Sequence, residues 1–141
     1  GLFGIVGHSN SDTFESLLNA MAKALKSHDW YQVDIYCGED YGLGRASTSL
    51  LKPDEQPVWN EDNSLCLVME GEIFDYHNEQ RSLIELGYQF RRDSQAEFVL
   101  HLFEEYGESF VAHLNGAFVV AIWNIHTKRL VIANDHLGLR P

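Results

Sequence analysis

Seven histidines, two cysteines and twenty-one carboxylates give this chain the side chains for several chemistries, so spacing decides among them. Glu97 and His101 stand four apart in a segment of helical periodicity, which would bring two ligands to one face and make half a metal site. Glu104 and Glu105 follow directly, and an exposed acidic helix face accounts for all four residues more simply. No metal or other cofactor is expected. Cys37 and Cys66 are too far apart in sequence for a zinc knuckle or a disulfide framework. A thiol nucleophile needs a nearby base or cation to become a thiolate. Both cysteines fall inside strand patterns that offer neither, so they are expected to be buried thiols. Arg45 lies in a strand pattern, where an inward guanidinium requires an anionic partner, internal or bound. Gly42-Leu43-Gly44 is too short for a phosphate loop and reads as a turn.

The elements that would position these residues follow from periodicity. Phe3 to Gly7 reads as a short buried strand. Asp12 with Glu15 fits a capping pair for a helix whose Phe14, Leu17, Leu18, Met21 and Leu25 form one inward face. Tyr31 to Cys37 alternates with period two, Gly38 to Gly44 turns the chain, and Leu43 to Ser49 returns as the partner strand carrying Arg45. Pro53 and Pro57 bracket a loop. Leu65 to Gly71 is a strand with Leu65, Leu67 and Met69 on one side. A helix from Asp75 ends at Gly87, and a second starts at Ser94 in a capping box with Glu97. Gly116 to Trp123 and Arg129 to Ala133 are buried strands joined at Asn124 to Lys128. Strands segregate from helices, which predicts an α+β class with stacked antiparallel sheets covered by helices, in one domain over 1–141.

Composition narrows the partners. A formal net charge of −11 with ten scattered basic residues repels phosphate backbones, so nucleic acid is not expected. No apolar run approaches the roughly 20 residues that cross a bilayer. Gly1 to Gly7 lacks the basic flank of a signal peptide, and a cytoplasmic protein is expected.

Six segments, in order, also resemble the motifs of one known family. Phe3-Gly4-Ile5-Val6-Gly7 resembles the family's Cys-Gly-Ile-Val-Gly. Gly44-Arg45-Ala46-Ser47, with Gln56-Pro57 after it, resembles its Arg-Leu-Ser strand, and Glu70-Gly71-Glu72-Ile73-Phe74-Asp75 resembles Asn-Gly-Glu-Ile-Tyr-Asn. Asp93 to Glu97 resembles Gly-Ser-Asp-x-Glu, and Leu114 to Phe118 and Asp135 to Pro141 follow. The family so resembled is the class II glutamine amidotransferases, in particular the N-terminal domain of asparagine synthetases, and the resemblance implies a four-layer αββα sandwich of N-terminal-nucleophile hydrolase type, truncated at its C-terminus because the family continues past Pro141. It also implies an adenylating ligase or synthetase domain, in cis or in trans, that uses ATP to activate a carboxylate, as in asparagine biosynthesis.

Position by position, the resemblance implies a lost reaction. Phe3 stands at the nucleophile position, where a benzyl group cannot attack an amide. Glu70 replaces the asparagine that, with the Gly71 N–H, would hold the oxyanion, and a carboxylate repels that charge. Gln95 replaces the aspartate that would clamp the substrate's ammonium group. Arg45, which would take the substrate carboxylate, is kept. The expectation is a pseudoenzyme serving as scaffold, with Glu70 as the nearest internal partner for Arg45. The alternative is a sensor in which Arg45, Glu70, Gly71 and Gln95 line a pocket for a small carboxylate ligand. Unpaired sheet edges after Pro141 would invite a homodimer.

Overall fold

The structure, a computed structural model, describes residues 1–7, 11–48 and 55–139, without the side chains of Ser11 and Asp12. The Asp12 cap, the Pro53 bracket and the end at Arg140-Pro141 therefore lie outside the described residues. The chain forms two compact units, Gly1–Pro57 and Val58–Pro141.

In the first unit β1 (Leu2–Val6), α1 (Ser11–Leu25), β2 (Gln32–Cys37) and β3 (Tyr41–Ser47) build an antiparallel sheet in the order β1-β3-β2. Gly42 and Gly44 lie within β3, not in the turn expected of them, because packing needs them there. A Cβ on Gly42 would come within 2.4 Å of Leu18, and one on Gly44 within 2.3 Å of the Phe3 ring. Both side chains lie on the face of the sheet that α1 covers. Phe14, Leu18 and Ala22 of α1 are buried. Leu17, Met21 and Leu25, expected on the same inward face, remain 46%, 37% and 39% exposed. A single sheet covers only the narrow Phe14-Leu18-Ala22 stripe of this 15-residue helix, and the rest of the apolar arc stays at its flank.

The second unit has a four-stranded antiparallel sheet in the order β4-β5-β6-β7. Its strands are β4 (Val58–Trp59), β5 (Leu65–Ile73), β6 (Gly116–Asn124) and β7 (Arg129–Asn134), with α2 (His77–Glu85), α3 (Gln95–Tyr106) and a 3₁₀ segment, Gly107–His113, between β5 and β6. Leu65, Leu67, Met69, Val120 and Ile122 pack with Phe98, Val99, Leu102 and Phe110 into one core, each such side chain contributing about 1.5–3 kcal/mol by leaving water. The helix expected to start at Asp75 starts at His77, since Asp75 takes a left-handed turn with φ +54°. Ser94 caps α3 by accepting the N–H of Glu97. The Glu97 carboxylate also accepts the backbone N–H groups of Arg91 and Arg92, at 2.9 and 2.8 Å.

Seven consecutive residues of α3, Ala96 to Leu102, are buried. Glu97 and His101, expected on an exposed acidic face, are thus interior at 6% and 5% exposure. Periodicity misses this because a helix whose early turns are covered all round has no solvent stripe to reveal.

Candidate functional site

Arg45 is held by its own sheet. Register pairs it with Leu2 on one side and Asp34 on the other, and cross-strand partners share a face. Its Nε and Nη2 both donate to Asp34 Oδ2, at 3.0 and 2.6 Å, and the side chain is 7% exposed against 26% for Asp34. Asp34 is thus a carboxylate partner of the guanidinium, one that the sequence reading did not name. Asp34 is eleven residues away and enters only through the β2–β3 register.

The same register moves Phe3. It pairs with Gly44, so strand alternation places Phe3, Gly44 and Ile35 on the face covered by α1 and Leu2, Asp34 and Arg45 on the opposite one. Phe3 and Arg45 do not converge: the aromatic ring is a packing residue under the helix. Neither face of β1, Leu-Phe-Gly-Ile-Val, carries a nucleophilic side chain.

Gly71 sits in β5 opposite Phe118 with φ +114°. A Cβ there would lie 2.0 Å from the Ala117 carbonyl oxygen. Only glycine allows β5 and β6 to approach this closely at that φ. Glu70, half-buried, precedes it opposite Val119.

Gln95, the first residue of α3, uses its amide as a copy of a peptide group. Its Oε1 accepts the Ile73 N–H at 2.8 Å, and its Nε2 donates to the Ile73 carbonyl at 3.1 Å. An aspartate, an acceptor only when ionised, would face that carbonyl with like partial charge. The clamp ties the start of α3 to the end of β5.

Asp135, unremarked in the sequence beyond its motif, gathers the turn after β7. Its carboxylate accepts the N–H groups of Leu137 at 2.9 Å, Leu139 at 3.2 Å and Phe118 at 3.3 Å. Burial alone would raise its pKa, but backbone donors from Leu139, Leu137, Phe118 and Gly138 outweigh burial and hold the carboxyl below its ordinary value.

The cysteines offer no replacement nucleophile. Cys66 is fully buried in β5. Burial, then the charge of Glu15, pushes the Cys37 thiol up, away from the thiolate. Among the described residues no three His, Cys, Asp or Glu side chains converge as a metal site requires, and no helix is long and apolar enough to cross a membrane.

One cavity, of about 480 Å³, lies within the second unit and is lined by Asn60, Glu61, Asp62, Tyr88, His101 and Glu104 among others. Tyr88 donates to Glu105 Oε2 at 3.1 Å. Burial first, then that bond and the charges of Glu105 and Glu104, pushes its phenol up to about 12. A raised folded pKa stabilises the fold fully below the unfolded value near 10, and the contribution is lost as pH rises from there through about 12. An alkaline titration followed by ultraviolet absorbance should show one late tyrosine step that Tyr88→Phe removes. If all tyrosines ionise together near their ordinary pKa, this assignment is wrong.

The whole chain, residues 1–141, matches the family described as glutamine amidotransferase domain. It is 30% identical to asparagine synthetase (glutamine-hydrolyzing) 3 of Arabidopsis thaliana, covering 100% of this chain and 25% of that protein. It is 32% identical to asparagine synthetase (glutamine-hydrolyzing) 2 of Bacillus subtilis, covering 100% and 19%. The chain thus spans about a quarter or less of these relatives. In structure it resembles the glutamine phosphoribosylpyrophosphate amidotransferase of B. subtilis, with a TM-score of 0.74 at 17% identity over 99% of this chain and 38% of that one. That likeness shows the fold, the mixed α and β class of N-terminal-nucleophile hydrolases that the motifs implied. Motifs, strand order and matched length agree that this chain belongs to the glutamine amidotransferase domain family, as the type found in asparagine-synthetase-like proteins.

Proposed function

We propose that this domain has given up glutamine hydrolysis and acts as the scaffold of an ATP-dependent, amide-forming ligase module, present in cis or in trans, in the cytoplasm. The observation that carries this reading is Gln95. At the position where the resemblance implies an aspartate to clamp the substrate's ammonium group, both functions of the side-chain amide are engaged by the backbone of Ile73. No opposing charge is left there for a free amino acid. Glu70 beside Gly71 adds repulsion where an oxyanion would need a donor, and losing one such donor typically lowers the rate by about a hundredfold or more. The asparagine synthetases to which the chain is similar are four to five times its length by the 25% and 19% coverage, which supports a larger assembly. The carboxylate-sensor alternative gains nothing from Arg45, whose guanidinium already holds Asp34.

The test is ammonia and glutamate release from glutamine by the protein as encoded, at high enzyme concentration. Only background is expected, and Phe3→Cys should not change it, since that side chain faces α1. Turnover that Cys37→Ser or Cys66→Ser abolishes would overturn the reading, as would any other sustained hydrolysis.

A further inference from the structure

The His101 ring is interior, yet one of its two nitrogens makes no hydrogen bond among the described residues. Nδ1 lies 2.8 Å from Glu104 Oε2, and Tyr88 and Phe90 flank the ring with centroids at 5.1 and 4.9 Å. Nε2 is buried without a hydrogen-bond partner, 4.0 Å from Glu97 Oε1. A neutral ring bonded to a carboxylate through Nδ1 keeps its proton there, which leaves Nε2 a bare lone pair facing a second carboxylate. Such an arrangement leaves a buried polar atom unsatisfied. Protonation reverses it: Nε2 becomes a donor, and Glu97 comes within bonding distance by a shift of about 1 Å.

Glu97 has other duties. Its two oxygens hold the Arg91 and Arg92 backbone N–H groups, and its own N–H is capped by Ser94. It therefore fastens the stretch that leads into Gln95 and its clamp on Ile73. The ionisable groups around His101 are mostly acidic. On α3 they are Glu97, Glu104 and Glu105. From the α2–α3 connection come Tyr88 and the exposed charges of Arg91 and Arg92, Arg91 lying 3.5 Å from Glu61. From the β4–β5 turn come Glu61 and Asp62, beside Asn60, which donates to Glu104 Oε1 at 3.0 Å. His101, Glu104, Glu61 and Asp62 line the same cavity, which gives protons a route to the ring.

We propose that His101 is a proton-operated staple. As imidazolium it bridges Glu104 to Glu97 and tightens the hold of Glu97 on residues 91–94. As neutral imidazole it loses the Glu97 side, and the stretch before α3 loosens. The device does not depend on whether the domain hydrolyses glutamine.

Amide hydrogen exchange of Arg91 and Arg92, measured by NMR on the full chain and corrected for intrinsic rates, tests it. Protection should be about fivefold greater near pH 5.5 than near pH 8. The difference should vanish in His101→Gln. Should that variant not fold, Glu104→Gln keeps the ring, withdraws the Nδ1 carboxylate and should reduce the difference. Wild-type ring nitrogen shifts should report the Nδ1–H tautomer for the neutral form. Protection that is flat or falls toward acid, or a neutral ring protonated at Nε2, overturns the proposal.

Discussion

Gly71→Ala is expected to cost roughly 4 kcal/mol or more and to lower the melting temperature by about 10 °C or more. Two penalties combine. An alanine at φ +114° is strained by about 1–3 kcal/mol, and its methyl would lie 2.0 Å from the Ala117 carbonyl oxygen and 2.8 Å from Phe118 Cα. Both atoms are backbone of β6, the central partner of β5, so relief requires parting the sheet rather than turning a side chain. Against a total stability of about 5–15 kcal/mol, the loss is a large share. Gly87→Ala is the control. Its φ is +104° but nothing lies within 4 Å of its Cβ, so it should show the backbone strain alone, about 1 kcal/mol. Thermal unfolding of the two variants checks the argument. If Gly71→Ala melts within the range of Gly87→Ala, the close approach of β5 and β6 is not what requires glycine.

Arg45→Met should destabilise the first unit by about 2–4 kcal/mol, because it leaves the Asp34 carboxylate beside apolar surface without its cation. The lower end is favoured, since Asp34 remains 26% exposed and water screens what is left. The double variant Arg45→Met with Asp34→Leu should recover most of the loss, since removing both charges also removes their desolvation. A denaturant double-mutant cycle reads the coupling directly. Additive losses would show that Asp34 is not the partner that matters. The same variants bear on the sensor alternative. With Arg45 engaged by Asp34, small carboxylates should not raise the wild-type melting temperature, and a saturable rise would restore a ligand site.

Local pattern alone determined much of this protein. Alternation marked β2 and β5, apolar runs about a polar turn marked β6 and β7, Ser94 marked the start of α3, and Gly87 marked the end of α2, because each signal resides in a few neighbouring residues. Six ordered segments were enough to point to the family and its fold. The short strand β4 escaped notice because two residues carry no period, and only pairing with β5 makes them a strand.

Tertiary structure decided the site. Whether Phe3 faces Arg45 depends on the β1–β3 register, and a strand's alternation does not say which face looks at a helix. That Arg45 meets Asp34 depends on a second register, and that Gln95 binds Ile73 depends on where α3 lands on the end of β5. The burial of Glu97 and His101 was hidden for a related reason. Two carboxylates and an imidazole on a helix read as a solvated face, since their cost in the interior is offset in part by partners from outside the helix, which its period does not show. Those partners, the Arg91 and Arg92 amides, Tyr88 and Phe90, arrive when the α2–α3 connection folds over the helix.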